Sequence, residues 1–562
     1  MTLLENLMKS YLRTFSPRQS LAAFILLSVL ASQAFSQAAP AVSTLSATEK
    51  ELSENITIGS IKEMTAALSS AEMQGRGTMQ PGGDKAANWI AERFQKLGLK
   101  QLGDKGTYLQ KIDFRETVFT SETTFRIGDE ALKFGTDYAF LPYSKDDKSA
   151  SGELVFIAYG LQSRDLGRDD LAGLNLSGKV VVMLDGPPAN ISQEAWDKSN
   201  AKFAILGTIV RGGASAVVII GHGREKDSPE TIIDYLGRRQ LAVAGENSES
   251  LPIPPIVMAG KDAAAKLFAK SQTTLKDALA AAETTSFKPV KLNQSAKLVS
   301  KTKVDKGTSS NVAAYIEGSD PKLKEEAVLF SAHYDAYGVE NGKVYFGAAD
   351  NALGTAEMLA VAEAYSKMAV KPKRSMIFLA VTGEEYGLYG SKHWAKNPTW
   401  NIKKVAANLN LDGIGSEVYG PVKTMVGFGA EHSSLGPLLN DLASTLGINV
   451  IPDPTPEEKV FYRSDHYSFV ERGVPALMIL GAPAGDKEIW MKRIKDWEKI
   501  DYHQPGDVIQ PGWAWEGAET VAEAMGIIGL RISESDSMPS WLPSSRFAKL
   551  ERGNTKEIPE EK

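Results

Sequence analysis

Four acid-rich segments lie between Ser331 and Asp412, and each one follows an apolar run or opens a helix. They read SAHYDAYG from Ser331, FGAADNALGTAEM from Phe346, FLAVTGEEYGLYGS from Phe378 and NLNLDGIG from Asn408. Short apolar runs bounded by glycine are typical of buried strands, and the longer alanine- and methionine-rich run is typical of a helix. This stretch therefore decides the fold and the place of the chemistry.

From residue 309 onward, predicted strands alternate with predicted helices. This alternation predicts an α/β fold with a mainly parallel central sheet flanked by helices on both faces. The predicted strands are Val312–Glu317, Ala327–Ala332, Met376–Val381, Val405–Leu411 and Pro475–Leu480, and the predicted helices are Leu353–Met368, Ser434–Leu446 and Trp513–Arg531.

The acidic segments follow the carboxyl ends of these strands, where an open α/β sheet binds its ligands. His333, the pair Glu384–Glu385 and Asp412 each end a predicted strand, and Asp350 directly precedes a predicted helix. We therefore expect these side chains to converge at one edge of the sheet.

The spacing within two segments assigns candidate roles. His333 and Asp335 are two residues apart, which places both side chains on one face of an extended strand. A carboxylate there can hold the second imidazole nitrogen and set the tautomer. Glu384 and Glu385 are adjacent and point differently, so one can bind a metal while the other serves as a general base.

The donor types favour zinc. The chain contains no cysteine, so thiolates are absent from the available ligands. Histidine and carboxylate ligands suit catalytic zinc, which keeps an open position for water. Three carboxylates, those of Asp350, Glu385 and Asp412, nearly balance the charge of two divalent cations, and without metal they would be buried unpaired.

The N-terminus resembles a secretory signal. Basic residues precede the apolar run LAAFILLSVL at Leu21–Leu30, and small residues follow it. This pattern predicts a signal peptide at 1–38, export to a bacterial periplasm or secretion, and no stable membrane anchor after cleavage. An uncleaved N-terminal anchor is the alternative.

The remaining chain divides by texture. Residues 39–115 and 289–533 are expected to form the main domain, and 116–288, with short strands and turns, an inserted β-rich domain. The polar residues 534–562 are expected to form a loose tail. The net charge of -6 and the lack of a basic stripe argue against nucleic-acid binding.

Taken together, these segments closely resemble the co-catalytic di-zinc aminopeptidases of clan MH. That family includes secreted leucyl aminopeptidases, glutamate carboxypeptidase II, transferrin receptor and, more distantly, glutaminyl cyclase. The insert resembles the protease-associated domain that several members carry. The matching pieces are HYD at His333, ADNALG at Asp350, TGEEYGLYGS at Glu384, NLDGIG at Asp412, SDHYSF at Ser464 and DYHQPGD at His503.

The resemblance implies a role for each site residue. Asp350 would bridge two Zn²⁺ ions and would precede a non-proline cis peptide bond at Asp350–Asn351. His333 and Asp412 would complete one zinc site, and Glu385 and His503 the other. Glu384 would be the general base, and Asp335, which can set the tautomer of His333, would also be a catalytic residue. Tyr502 would stabilise the tetrahedral intermediate, and His466 would face the substrate.

These expectations describe a zinc-dependent aminopeptidase that acts on peptides as a monomer or homodimer. A glutamate-type carboxypeptidase is an alternative, with Arg463 as the candidate for binding a substrate carboxylate. A one-zinc glutaminyl cyclase and a catalytically silent binding protein of the same fold are further alternatives. A serine hydrolase and a zincin are disfavoured, because neither G-x-S-x-G nor H-E-x-x-H occurs.

Overall fold

The computed structural model of this protein describes residues 44–141, 147–164, 167–192, 195–196, 201–223, 228–245, 253–413, 418–483, 487–556 and 558. The predicted signal peptide, residues 1–38, lies outside them. Within the described ranges, no helix has both the length and the apolar character needed to cross a bilayer.

The helices begin where local signals allow. The side chain of Ser46 accepts a hydrogen bond from Glu49 N–H, and Glu49 returns one to Ser46 N–H, which forms a complete capping box. The helices are α1 (Ala47–Asn55), α2 (Ile58–Leu68), α3 (Pro81–Lys96), α4 (Ala201–Arg211), α5 (Pro229–Leu236), α6 (Lys261–Leu267), α7 (Leu275–Ala282), α8 (Gly354–Lys367), α9 (Tyr389–Lys396), α10 (Leu435–Leu446), α11 (His466–Val470), α12 (Lys487–Ile500) and α13 (Glu516–Glu534).

The strands fall into two large sheets and two short hairpins. They are β1 (Lys100–Gln101), β2 (Leu109–Phe119), β3 (Thr124–Ile127), β4 (Glu130–Leu132), β5 (Tyr138–Phe140), β6 (Lys148–Phe156), β7 (Gln162–Ser163), β8 (Arg168–Asp169), β9 (Val180–Leu184), β10 (Ala216–Ile220), β11 (Gln240–Val243), β12 (Ile256–Ala259), β13 (Val290–Ser300), β14 (Thr302–Ile316), β15 (Ala327–His333), β16 (Gly338–Glu340), β17 (Lys343–Tyr345), β18 (Ser375–Val381), β19 (Val405–Asn410), β20 (Val422–Phe428), β21 (Asn449–Ile451) and β22 (Ala476–Pro483).

The larger sheet forms the main unit and confirms the predicted α/β class. Its order is β11-β2-β14-β18-β15-β19-β22-β20-β21, with β1 paired to β14. The four central strands, β18-β15-β19-β22, are parallel, whereas β14, β2 and β20 join antiparallel. Parallel pairing thus occupies the centre of the sheet, where helical crossovers connect the strands.

Helices cover both faces of this sheet. Phe330 and Phe378 pack on the face that α2, α3, α8 and α13 cover, while Leu329 and Leu379 pack on the opposite face beside Trp394 of α9. All residues of β15 are buried, which explains why it reads as a continuous apolar run rather than an alternating one.

The inserted unit has its own sheet and core. Its order is β4-β3-β13-β6-β9-β10-β12-β5, with β6, β9, β10 and β12 parallel. Because parallel strands require crossover connections, helices α4 to α7 lie in this unit, which is therefore more helical than the predicted β-rich domain. The strand β13 belongs to this sheet, so the unit extends beyond the predicted limit at residue 288.

One strand of the insert leaves its unit. Residues Gln240–Val243, β11, pair antiparallel with Phe114–Thr117 of β2 and form the edge of the main sheet. The sequence predicts that this segment lies wholly in the insert. The pairing ties the insert to the main unit close to the carboxyl ends of the central strands.

The C-terminal residues differ from the predicted loose tail. Phe547 is completely buried against Phe461 and His432. Arg552 donates hydrogen bonds to the backbone carbonyls of Val405 and Ala406. Scattered apolar and arginine residues in a polar segment thus suffice to dock it.

Candidate metal centre

His333 is the last residue of β15 and lies at the centre of the acidic cluster. Its side chain is 1% exposed, and its backbone carbonyl accepts a hydrogen bond from Thr355 Oγ1 at 2.7 Å. Its Nδ1 lies 3.2 Å from the backbone carbonyl of Asp335 and 3.8 Å from that residue's carboxylate. The carbonyl, rather than the predicted carboxylate, is therefore the nearer partner, which leaves Nε2 for a metal.

The Asp335 carboxylate acts on its neighbours instead. It accepts hydrogen bonds from Thr78 Oγ1 and from the backbone N–H of Glu384, each at 3.2 Å. Burial raises its pKa to about 6. Asp335 thus fixes the backbone that presents the glutamate pair.

Asp350 lies between the two histidines. Its Oδ1 is 3.2 Å from His333 Nε2, and its Oδ2 is 3.2 Å from His503 Nε2. The Asp350–Asn351 peptide bond is cis, as the resemblance implies. The Asp507 carboxylate accepts hydrogen bonds from the N–H groups of Ala349 and Asp350 at 2.8 and 3.0 Å, which holds this segment in place.

Glu384 and Glu385 follow β18 and turn toward different histidines. Glu384 Oε2 lies 3.9 Å from His333 Nε2, and Glu385 Oε2 lies 3.0 Å from His503 Nε2. The pair is divided between two sides of the cluster, as expected for adjacent side chains. Glu384 makes the longer contact, which is the arrangement that a general base needs.

Asp412 follows β19 and completes the side of His333, with its Oδ1 3.3 Å from His333 Nε2. Ser464 donates a hydrogen bond to its other oxygen. Ser464 in turn accepts one from Asn410 Nδ2 at 2.8 Å. These successive buried hydrogen bonds therefore orient the Asp412 carboxylate.

The structure thus brings all six predicted residues into two groups. Ligand atoms of His333, Glu384 and Asp412 lie within 4.8 Å of one another, as do those of Asp350, Glu385 and His503. Carboxylate and imidazole donors of this kind fit zinc. Asp350 contacts both groups, so the donor set fits a pair of ions that share one carboxylate.

The negative charge of the clustered carboxylates also favours the binding of positive charge at this site. Burial alone would lower the pKa of both histidines, but the surrounding carboxylates outweigh it, raising that of His333 well above its usual value and that of His503 to about 9. Contacts with the same histidines lower the pKa of Asp350 against the effect of burial. Burial and neighbouring carboxylates raise the pKa of Glu384 well above its usual value.

The two residues predicted to face the substrate differ in placement. The Tyr502 ring stacks on the His503 ring with centroids 3.6 Å apart, so the structure brings it to the cluster. Burial raises its pKa well above the usual value, which keeps its hydroxyl protonated. His466 is completely buried against Phe461, so it lacks the exposed surface that a substrate-facing residue needs.

Sequence reasoning missed three buried residues around the site. Asp507 stands four residues after His503, in a turn whose proline and glycine were the available signal. Arg76 donates hydrogen bonds to the carbonyls of Tyr334, Leu68, Phe346 and Gly347. Asp465 is completely buried and lies in electrostatic contact with Glu384. Nothing local distinguished Arg76 or Asp465 from surface charges.

Comparison with known proteins identifies the catalytic unit. Residues 311–526 match peptidase family M28. The solved aminopeptidase from Aneurinibacillus sp. strain AM-1 covers 92% of this chain and 100% of its own, with a TM-score of 0.56 at 22% identity. A zinc aminopeptidase from Bacillus subtilis covers 89% of this chain and 99% of its own, with a TM-score of 0.53 at 18% identity. At these identities the likeness shows the fold.

Curated relatives match a shorter region and correct the predicted location. The vacuolar membrane protease of Clavispora lusitaniae is 39% identical over 108 residues, which are 19% of this chain and 10% of that protein. The chain thus matches about a tenth of the length of these relatives. Other yeast relatives carry the same name. The prediction of a bacterial periplasmic or secreted protein is therefore wrong on this comparison, because these relatives are named as vacuolar membrane proteases of yeasts.

The matched region contains every residue of the two metal groups, from the strand that ends at His333 to the loop that carries His503. The geometry, the donor chemistry and the comparison agree on one catalytic unit. Residues 311–526 of this chain therefore resemble a domain of peptidase family M28.

Proposed function

We propose that this protein is a two-zinc aminopeptidase that removes residues from the N-termini of peptides. The observation that supports it most is the position of Asp350, whose two oxygens each lie 3.2 Å from a different histidine. His333 and Asp412 would hold one ion with Asp350, and Glu385 and His503 would hold the other. When bound, two zinc ions lower the pKa of a water molecule and polarise the scissile carbonyl.

The chain's own residues move the protons. Glu384 accepts a proton from the attacking water and delivers it to the departing amine. Its carboxylate lies 3.9 Å from His333 Nε2, farther than the other carboxylates of the two groups lie from their histidines, which leaves it available for both steps. Tyr502, held protonated beside His503, donates a hydrogen bond to the oxyanion.

The position of Arg463 favours a substrate amine over a substrate carboxylate. Arg463, the cation considered for that role, is 56% exposed and pairs with Glu458 at 3.7 Å. We therefore favour the aminopeptidase over the glutamate-type carboxypeptidase.

Glu384→Gln tests the assignment of the base. We expect turnover to fall by about a hundredfold to ten-thousandfold while the protein retains both zinc ions. Glu153→Gln is the control, because Glu153 pairs with Lys179 on the surface of the insert and is 77% exposed. Retained activity in Glu384→Gln would contradict the role, and loss of a zinc ion would make Glu384 a ligand.

A substrate panel tests the polarity. Aminoacyl-nitroanilides with a free amine should be hydrolysed, and the same compounds carrying an N-acetyl group should not. Hydrolysis of peptides blocked at the N-terminus but free at the C-terminus would instead establish a carboxypeptidase. A protein that binds zinc and cleaves neither set would be a binding protein of the same fold.

A further inference from the structure

The inserted unit reaches the metal centre through one short segment. Helix α5 ends at Leu236, β11 begins at Gln240 on the edge of the main sheet, and Arg238 and Arg239 lie between them. Both arginines are almost completely buried, at 3% and 5% exposure. Buried arginines require partners, so their contacts show what this segment does.

Arg238 contacts the backbone of a candidate metal ligand. Its Nη2 donates a hydrogen bond to the His503 carbonyl at 3.0 Å and another to Asp234 Oδ2 at 2.8 Å. His503 has a φ of 57°, in the left-handed region that few non-glycine residues adopt. The contact with Arg238 therefore supports an uncommon backbone conformation at the residue that presents the imidazole.

The same guanidinium packs against two tyrosine rings. It lies 4.6 Å from the ring centroid of Tyr337 and 4.3 Å from that of Tyr345. Its Nε and Nη1 have no hydrogen-bond partner among the described residues, and contact with the aromatic faces accounts for their burial. A planar cation is needed here, because an ammonium group cannot stack on both rings.

Tyr337 carries this contact to the His503 ring. Its hydroxyl lies 3.3 Å from His503 Nδ1, and the two ring centroids are 4.9 Å apart. The hydroxyl also lies 3.4 Å from the Glu385 carbonyl, to which it donates. Nδ1 can then donate to the tyrosine oxygen, which leaves Nε2 facing Asp350 and Glu385.

We propose that Arg238, which the inserted unit supplies, is a positioning residue for His503. It holds the His503 carbonyl directly and the imidazole through Tyr337. The insert therefore completes the metal group of Asp350, Glu385 and His503, while the group of His333 is built by the main unit. This inference depends on the proposed function in one respect only, namely that the bound metal is zinc.

The first test uses metal-free protein, so that it stands apart from zinc binding and activity. The chain has six histidines, few enough for their ring signals to be resolved in an NMR spectrum of protein isotopically labelled at the histidine rings. A His503→Asn variant assigns the His503 signal. Arg238→Ala should shift that signal and leave those of His222 and His333 in place. An unchanged His503 signal in Arg238→Ala would overturn the proposal.

The second test measures the affinities of both zinc sites by competition with a coloured chelator. Arg238→Ala should lower the zinc affinity of the site of Asp350, Glu385 and His503 by about tenfold to a hundredfold, as loss of an outer partner does. The zinc affinity of the His333 site should stay within about threefold of the wild-type value. Arg238→Lys should not restore the affinity of the first site, and Tyr337→Phe should weaken the same site. Arg211→Ala is the matched control, since Arg211 is an exposed arginine of the insert that bonds Thr208.

The outcomes separate this inference from the proposed function. Equal weakening of both sites, or a restored site in Arg238→Lys, would overturn the positioning role. A wild-type protein that binds no zinc would refute the two-zinc aminopeptidase, and the histidine spectrum of the metal-free variants would still decide the role of Arg238.

Discussion

Replacement of Asp350 by alanine should remove both zinc ions, whereas replacement of Asp412 should remove one. Asp350 lies 3.2 Å from His333 and 3.2 Å from His503, so the alanine variant takes a donor from each group. Asp412 contacts His333, 3.3 Å away, and belongs to that group alone. The comparison of these two variants tests whether one carboxylate serves two ions.

The size of the effect follows from the number of donors lost. Loss of an outer partner costs tenfold to a hundredfold in metal affinity, so loss of a direct ligand should cost at least about a hundredfold, or about 2.7 kcal/mol, at each affected site. Asp412→Ala should therefore lose at least about 2.7 kcal/mol in total, and Asp350→Ala about twice that amount. At a free zinc concentration that just saturates the wild type, Asp412→Ala should hold one zinc ion and Asp350→Ala should hold none.

Metal content after equilibrium dialysis against buffered zinc measures this difference. Circular dichroism of the metal-free variants serves as the control for folding. An Asp350→Ala protein that keeps one ion at the wild-type affinity would show that the carboxylate is not shared. Equal stoichiometry in Asp350→Ala and Asp412→Ala would lead to the same conclusion.

Two further predictions concern stability. Phe547→Ala should destabilise the protein by about 3–5 kcal/mol, because it empties a completely buried position. The control Ile500→Ala, at a 64% exposed position, should change the free energy of unfolding by no more than about 0.5 kcal/mol. Urea unfolding measures both, and a small loss in Phe547→Ala would mean that the C-terminal segment is not docked. Burial lowers the pKa of His466 from 6.5 to about 4, so the unfolded chain binds more protons between these values and stability should fall by about 3 kcal/mol as the pH drops through this window. His466→Gln should flatten that dependence, and an unchanged pH profile in His466→Gln would contradict the reasoning.

Local patterns were sufficient for the central elements. The predicted helix Leu353–Met368 is observed as Gly354–Lys367, and the predicted strand that ends beside His333 is observed as Ala327–His333. A buried parallel strand is a continuous apolar run, and the residue after it must lie at the ligand-binding edge. Five of the six site residues could therefore be named from their positions after strands and before a helix, whereas His503 was named from the resemblance.

Residues whose partners lie far away in the chain could not be found this way. Arg238 and Asp507 have no periodic pattern, and their partners are 265 and 157 residues away in the chain. The pairing of β11 with β2 and the docking of Phe547 likewise depend on surfaces that exist after folding. In the sequence, a single polar or aromatic residue could pair with many other residues of suitable type. In the folded protein, only a few of those residues lie within contact distance.

The sequence by itself determined the α/β class and the ligand types, because hydrophobic periodicity and donor chemistry are local properties of the chain. The tertiary structure alone decided that Asp350 lies between the two histidines, that the Asp335 carbonyl rather than its carboxylate is nearest to His333, and that an arginine from the insert supports His503. These features depend on distances of a few ångströms between distant segments, and such distances are set by packing of the whole molecule.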